Sequence, residues 1–270
     1  MGYPIEHSLS PIMHEAAFQA LGLEAIYAPF EVPPASLRGV LRGLVAAGID
    51  GVNITVPLKE RIVPLLHGLS REAGMLRAVN TVVIRRGRLI GHNTDVSGLS
   101  QAVTELGWRP ARRSSVVILG AGGAAKAAAW AVCRHPGVEL TIANRHPAKA
   151  QRLARWLARA RPHGHVRAQA LRDVELDGVQ LLINATSVGM RAEDDLPIAV
   201  GRLRRPTVVY DVVYNRQTPL VREARRRGCV AANGLSMLVY QGAEAFRLWW
   251  HRRPPIEVMR RAVAHALAAR

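Results

Sequence analysis

The run VVILGAGGAAKAAAW, residues 116–130, constrains the fold more than any other stretch of the chain. Its first half, SVVILG from Ser115, is a short all-apolar segment, as expected of a strand covered on both faces in a parallel sheet. Its second half is an alanine-rich helix pattern. Between them stand Gly120, Gly122 and Gly123, with Ala125 in the last small position. A strand, a glycine turn and a helix in this order form a dinucleotide-binding fingerprint. Gly120 permits the tight turn, and Gly122 lets the backbone approach a pyrophosphate. Ala125 lets the helix lie close to the strand, while the helix N-terminus faces the phosphates.

The next strand, ELTIANR (139–145), decides between cofactors. A site that prefers NAD carries Asp or Glu at this strand end to hold the ribose 2′-hydroxyl. Here the end reads Asn144, Arg145, His146, with Lys149 following. No carboxylate is present and two cations are. Paired guanidinium donors suit a 2′-phosphate, so the residues point to NADP. Lys126 is expected on the exposed side of its helix.

Strands and helices alternate along most of the chain, which predicts α/β layering with parallel sheets. Ser10 and Pro11 read as the cap and first residue of a helix reaching about Leu21. AIYAPFEV (25–32) reads as a strand, Leu37 to Ala47 as a helix, and GVNITV (51–56) as a strand. A hairpin turning at Arg86-Gly87 occupies 78–95, with a helix from Val96 to Leu106. After the glycine loop come a helix over Pro147 to Ala160 and strands over 179–187 and 207–214. The segments 234–250 and Pro255 to Ala269 read as two helices with no strand between them, folding back on the first domain. The expected domains are therefore 1–98 plus 234–270, and 99–233.

The length of 270 residues accommodates two buried cores. No apolar run reaches membrane-spanning length and the start lacks a secretory pattern. Cys133 and Cys229 belong to no Cys-x-x-Cys pair, so neither a disulfide framework nor a metal site is expected, and a reducing cytoplasm is the simplest compartment. The formal net charge is +17, from 37 basic and 20 acidic residues. Such a charge raises the possibility of a noncatalytic nucleic-acid-binding protein on a dinucleotide-type scaffold. The excess is mostly Arg spread over helices, with no basic tail and no aromatic-interleaved stripe. It reads as a solvated surface, with no specific nucleic-acid site.

In GVNITVPLKE (51–60), Val52, Ile54 and Val56 alternate with Asn53 and Thr55, and Lys59 follows Pro57. Alternate residues of an extended chain share a face, so the amide and hydroxyl point together, away from the apolar residues. Ser8, Ser10, Asn80, Asn93 and Asp95 also fall at strand or turn ends. Hydroxyls, amides and one Lys/Asp pair suit a small polyhydroxylated acid. Removing a proton from an alcohol calls for a base, which a Lys or Asp supplies when its partner and surroundings tune it.

Taken together, these segments resemble the shikimate dehydrogenase family over nearly the whole chain. The resemblance is carried by GYPIEHSLSP (2–11), GVNITVPLK (51–59), RAVNT (77–81), GHNTDVSG (91–98) and the GAGGA loop. The NR pair at 144–145, NATSVGM (184–190), YDVVYN (210–215) and NGLSMLVYQGAEAF (233–246) extend it. It implies an α/β substrate-binding domain, a Rossmann-type doubly wound NADP domain, and NADP-linked interconversion of shikimate and 3-dehydroshikimate in a monomer or homodimer. Carried over residue by residue, Ser8 and Ser10 would hold the substrate carboxylate, with Tyr214 helping. Asn53, Thr55, Asn80 and Gln241 would meet ring hydroxyls or orient the acid–base couple, Lys59 and Asp95. That couple is expected to face across the cleft between the domains. Gly120, Ala121, Gly122, Gly123 and Ala124 would carry the pyrophosphate, and Asn144, Arg145 and Lys149 the 2′-phosphate. Thr186, Ser187, Val212, Gly234 and Met237 would lie along the cofactor, Met237 near the nicotinamide.

Two departures stand out. Family members usually carry a strand of the type xxxGxxG before the Gly-x-Pro turn, and this chain starts at Met1-Gly2. Either the start is misassigned or the substrate sheet lacks an outer element. The usual Pro-His-Lys is Pro57-Leu58-Lys59, with the lysine kept. A quinate/shikimate dehydrogenase of broader specificity fits most of the same motifs. Methylenetetrahydrofolate dehydrogenase and glutamyl-tRNA reductase leave HSLSP together with NTD unexplained.

Replacing Arg145 with Asp should raise the Michaelis constant for NADP far more than that for NAD, by roughly tenfold or more, since a charge-assisted contact to phosphate is lost. Initial rates with each cofactor measure the shift, and equal use of both by the unmodified protein would count against the assignment.

Overall fold

The computed structural model describes residues 1–161 and 165–269. The chain divides into two compact units, Met1–Asp95 with Val239–Arg270, and Val96–Leu238. In chain order the first part contains α1 (Ser10–Ala20), α2 (Leu37–Ala46), β1 (Gly51–Asn53), β2 (Gly68–Leu69), α3 (Arg71–Leu76), β3 (Thr81–Arg85), β4 (Arg88–His92) and α4 (Asp95–Glu105). There follow β5 (Ser115–Leu119), α5 (Gly123–Val132), β6 (Glu139–Asn144), α6 (Pro147–Ala160), β7 (His165–Ala170), β8 (Leu181–Asn184), β9 (Val208–Asp211), α7 (Pro219–Arg226) and β10 (Val230–Ala232). The chain closes with α8 (Leu235–Trp250) and α9 (Ile256–Ala268).

The second unit follows directly from its apolar strands. β5, β8 and β9 are buried almost end to end, and the sheet is all parallel in the order β10-β9-β8-β5-β6-β7. Counted from β5, this is the doubly wound order 3-2-1-4-5-6, whose direction reverses between β5 and β8. The register sets Leu119 level with Ala143 on one side and with Asn184 on the other, and Asn184 level with Asp211. Gly120, Arg145, Thr186 and Val212 therefore all emerge just beyond the carboxyl edge. Ala125 and Ala127 to Ala131 of α5 are buried, which lets this helix lie close to the sheet.

The first unit is not the parallel sheet that alternation predicts. Its order is β1-β3-β4-β2; β1, β3 and β4 pair antiparallel, and only β2 joins β4 in parallel. The reason is the two-residue turn at Arg86-Gly87, with φ of 49° and 74°. Two left-handed residues in succession suit a tight hairpin, and a hairpin forces antiparallel pairing. Residues 25–32 belong to neither sheet; within them Glu31 forms an isolated bridge, to Gly2. The strand expected over 51–56 ends at Asn53. Val52 and Ile54 are buried, whereas Val56 is 69% exposed, so the alternation fails at its last member. β7, α7 and β10 lie in stretches for which no element is expected from the pattern.

Behind β1 and β3 lies an aromatic cluster built from α1, Tyr27 and α8. The His14 ring stacks on Tyr27, with centroids 4.5 Å apart and planes 3° apart, and contacts Trp249 at 5.4 Å. Trp249 donates its indole N–H to the Val82 carbonyl. His14 is fully buried, and neither ring nitrogen has a hydrogen-bond partner among the described residues. Burial without a partner disfavours the imidazolium and holds its pKa down at about 3.

The unfolded chain takes up this proton near pH 6.5 and the folded chain only near pH 3. The stability tied to the neutral ring is thus complete above pH 6.5 and drains away as the pH falls towards 3. At pH 5 the loss amounts to about 2 kcal/mol. His14→Leu should remove this dependence, so that cooling of the melting temperature between pH 7 and pH 5 is smaller than in the unmodified protein by roughly 4 °C or more. Thermal melts of both proteins at the two pH values check it, and parallel losses would refute it.

Candidate active site

The first unit gathers its polar residues around one side chain. Asn80, at the start of β3, is 2% exposed. Its Nδ2 donates to Asp95 Oδ1 at 2.9 Å, to Thr94 Oγ1 at 2.9 Å and to Gln241 Oε1 at 3.3 Å. Its Oδ1 accepts from the Thr94 backbone N–H at 2.7 Å and from the Thr81 hydroxyl at 3.2 Å. Asp95, the first residue of α4, is thereby held with its other oxygen towards Lys59, whose Nζ lies 2.6 Å from Oδ2. The pair is mostly shielded, with side-chain exposures of 26% for Lys59 and 11% for Asp95. Both residues belong to the first unit, so the expectation that they face across an interdomain cleft is corrected: the ion pair forms within one unit. Asp95 ends up there because the β4 strand leads directly into α4.

β1 ends at Asn53, so the strand face expected to carry both Asn53 and Thr55 holds only the first, and the two side chains differ in availability. The Asn53 carboxamide donates to the Asn80 carbonyl at 3.0 Å and to the Thr81 hydroxyl at 2.9 Å, and accepts from the Tyr27 hydroxyl at 2.8 Å. The Thr55 hydroxyl makes no hydrogen bond among the described residues, and its methyl packs where a side chain on Gly2 would lie. Ser10 is the first residue of α1 and not its cap; Leu9 holds the cap position, with no side-chain bond. Ser8 Oγ instead accepts the Ser10 backbone N–H at 3.3 Å, which brings the two hydroxyl-bearing residues together. Asn93 donates to the Ala78 carbonyl and supports the turn before Asp95. Tyr27, Thr81 and Thr94 were missed by sequence reasoning. The two threonines had a signal: each follows an asparagine, and the hairpin register brings the two Asn-Thr dipeptides together, their hydroxyls 3.4 Å apart. Tyr27 had none.

In the second unit the glycine loop takes the form its pattern predicts. Gly120 has φ +111°, and a Cβ there would stand 2.7 Å from the Ala185 carbonyl oxygen. Around Gly122 and Gly123 a Cβ would meet nothing within 4 Å, so the space above the α5 N-terminus is open; Ala121 and Ala124 flank it, half-buried. Arg145 and Lys149 are exposed beyond β6 with no acidic partner among the described residues, and Asn144 donates to the His146 carbonyl. A cavity of about 680 Å³ opens beside Arg145, lined also by Pro147, Leu171, Val174 and Ile198. Lys126 is half-buried and sits over the Trp156 ring at 4.8 Å, away from the loop's open side.

The turn after β8 is fixed by Asn184, which donates to buried Asp211 at 3.0 Å and to the Val188 carbonyl at 3.1 Å. Burial raises the Asp211 pKa, and hydrogen bonds from Thr218, Asn184 and the Val213 backbone oppose the rise. The Thr186 hydroxyl is committed to this turn: it donates to Asn184 Oδ1 at 2.7 Å and accepts from the Val188 N–H. Ser187 stands exposed beside it. Gly234 lies so near β9 that a Cβ would come 2.2 Å from the Val212 carbonyl oxygen. The Tyr210 hydroxyl, also missed from sequence, accepts the Met237 N–H at 3.0 Å and anchors the start of α8. Tyr214 belongs to this unit, while Ser8, Ser10 and Gln241 belong to the first.

Among the described residues no group of His, Cys, Asp or Glu is arranged to hold a metal ion, and no helix is long and apolar enough to cross a membrane.

Comparison with known proteins gives matches at both ends of the chain and over its length. Residues 1–82 match the shikimate dehydrogenase substrate binding domain, and residues 234–264 the shikimate 5′-dehydrogenase C-terminal domain. The chain is 42% identical over 276 residues to a shikimate dehydrogenase (NADP(+)) of Methanopyrus kandleri, covering 99% of this chain and 94% of that relative. A crystal structure of a shikimate dehydrogenase in complex with NADP+ superposes with a TM-score of 0.94 at 40% identity, covering 98% of this chain and 93% of that one. A Thermus thermophilus shikimate 5-dehydrogenase in complex with NADP(H) and shikimate gives 0.86 at 38% identity, covering 98% and 97%.

Two substitutions separate backbone need from open space in the glycine loop. Gly120→Ala should cost about 1–3 kcal/mol, since it combines a left-handed φ with a carbonyl clash. Gly122→Ala should leave the melting temperature within a degree or so of the parent, because nothing opposes its methyl group. Thermal unfolding of the pair measures both, and equal losses would contradict the loop geometry.

Proposed function

The chain belongs to the shikimate dehydrogenase family, and from that premise we propose that it interconverts 3-dehydroshikimate and shikimate with NADP, the reducing direction serving chorismate and aromatic amino-acid biosynthesis. The observation that carries this reading is the Lys59–Asp95 pair at 2.6 Å, shielded and held by Asn80 among hydroxyls and amides. A chance surface ion pair has no need of a buried carboxamide behind it.

The first unit, with its C-terminal helices, is the substrate domain, and Val96–Leu238 is the NADP domain. Ser8 and Ser10 take the substrate carboxylate, with Tyr214 contributing. Thr55, whose hydroxyl is unengaged, meets a ring hydroxyl. Asn53, Asn80 and Gln241 act chiefly by orientation, because their amide groups are already hydrogen-bonded to neighbours. The cofactor fits the second unit on structural grounds. The loop Gly120 to Ala124 leaves open space at a helix N-terminus for the pyrophosphate. Arg145 and Lys149, which have no acidic partner among the described residues, suit the 2′-phosphate beside the cavity, with Asn144 at their base. Thr186, Ser187, Val212, Gly234 and Met237 line the carboxyl edge along which the rest of the dinucleotide lies.

When bound, NADP supplies the hydride acceptor for the carbinol carbon, and its reduced form the donor. The protein moves the proton. In oxidation the substrate hydroxyl gives its proton to the Lys59–Asp95 pair as the carbon–oxygen bond becomes a carbonyl. In reduction Lys59 returns a proton to the carbonyl oxygen while Asp95 keeps the amine in place. Every assigned residue comes from one chain, so a monomer or a homodimer serves equally. Two free, buried cysteines suit a reducing cytoplasm.

A spectrophotometric assay of NADP reduction with shikimate, quinate and no substrate tests the reading; reduction with shikimate is expected, and none with any acid would end it. Lys59→Ala should lower turnover by roughly 10²-fold or more, with shikimate binding affected less. Near-normal turnover in a folded, cofactor-binding Lys59→Ala protein would remove Lys59 from the mechanism.

A further inference from the structure

We infer that Tyr27 is a positioning residue of the substrate site, holding the Asn53 carboxamide in one fixed place; the inference rests on the assignment of Asn53 to the substrate site above. The polarity of the chain is determined by its far end. Asn53 Nδ2 spends both hydrogens, on the Asn80 carbonyl at 3.0 Å and the Thr81 hydroxyl at 2.9 Å. Its Oδ1 therefore faces Tyr27, and an amide oxygen only accepts. The Tyr27 hydrogen is thus committed to Asn53, at 2.8 Å. One direction runs from Tyr27 through Asn53 to Thr81.

The same series continues into the acid–base pair. The Thr81 hydroxyl donates to Asn80 Oδ1, and Asn80 Nδ2 donates to Asp95, the partner of Lys59. A flip of the Asn53 amide would set its oxygen against the Asn80 carbonyl, so the Asn80 end fixes the orientation, and Tyr27 holds the amide at its remaining atom by donating to Oδ1. Its ring is fixed independently, by stacking on His14 and by contact with Trp249. The residue joins a rigid apolar anchor to a single polar atom, so the two functions separate cleanly on mutation. Preorganised hydroxyls and amides avoid the ordering cost that a substrate would otherwise impose on binding.

Tyr27→Phe keeps the ring and its stacking and deletes only the oxygen. The Michaelis constant for shikimate should rise roughly tenfold, the size expected from a hydrogen-bonded array left unsatisfied. Turnover should stay within about threefold of the parent, and the Michaelis constant for NADP should not change. Asn53→Ala should weaken shikimate binding clearly in the parent and much less in Tyr27→Phe, since the amide has already lost one of its anchors there. An unchanged or lowered constant for shikimate in Tyr27→Phe would overturn the inference, and so would strictly multiplicative effects. If the phenylalanine protein does not fold, Asn53→Ala, which removes the phenol's acceptor from the other side, decides: the constant for shikimate should rise roughly tenfold with that for NADP unchanged, and an unchanged shikimate constant would overturn the inference. Normal shikimate turnover by the parent with an indistinguishable Tyr27→Phe defeats the inference alone; a parent that neither binds nor oxidises shikimate defeats the functional assignment with it.

Discussion

The carboxamide of Asn80 is the interaction on which the first unit's site depends. It is buried, it bonds through both of its polar atoms, and its partners come from β3, the β4–α4 junction and α8. A buried amide with unmet bonds is costly, so these elements must arrive together or the site is not formed. The carboxylate of Asp95 gains its direction from this arrangement, and Lys59 gains a fixed partner. The ion pair itself, partly reached by water, contributes modestly to stability. Its value lies in orientation.

The second unit reaches the same end by a different route. Its central strands β5, β8 and β9 are buried almost end to end and carry their polar side chains near their ends. Everything chemical is displaced to the carboxyl edge, where register lines up the glycine loop, the Arg145 corner and the turns after β8 and β9. Buried polar groups are used sparingly, to set turns: Asn184 with Asp211 and Thr218, and Tyr210 at the start of α8. One unit builds its site from a polar network inside its core, the other from a dry core with polar ends.

This contrast explains what could be read from the sequence. The parallel sheet was legible because apolar runs broken by a glycine loop admit few other folds, and the Arg145 corner because its position follows from the loop by counting. Lys59 and Asp95 were legible as motif members, and the expected boundary at 98 placed both in one unit; that they bond directly to each other inside it was not legible, since sequence spacing does not say where two side chains meet. The strand expected over 25–32 failed because an extended chain with strand-like composition still needs a neighbouring edge, and here only Glu31 finds one. Ser10 read as a cap because serine before proline commonly is; the helix begins one residue earlier than that pattern implies. Tyr27 was invisible. A tyrosine in such a run gives no sign that its hydroxyl will meet a residue 26 positions after it, and a hydrogen bond of that range belongs to the tertiary fold alone.

The Arg86-Gly87 turn is exposed and far along the hairpin from the residues discussed, yet its length is a functional quantity. It sets Arg85 opposite Arg88 and, four pairs along, Thr81 opposite His92, which is what brings one Asn-Thr dipeptide to the other. Surface turns ordinarily accept insertions. One added residue here would slip the register and turn alternate side chains of β4 to the opposite face, carrying Thr94 and Asp95 out of reach of Asn80. Among relatives, this turn should keep residues that tolerate a left-handed backbone and should scarcely vary in length.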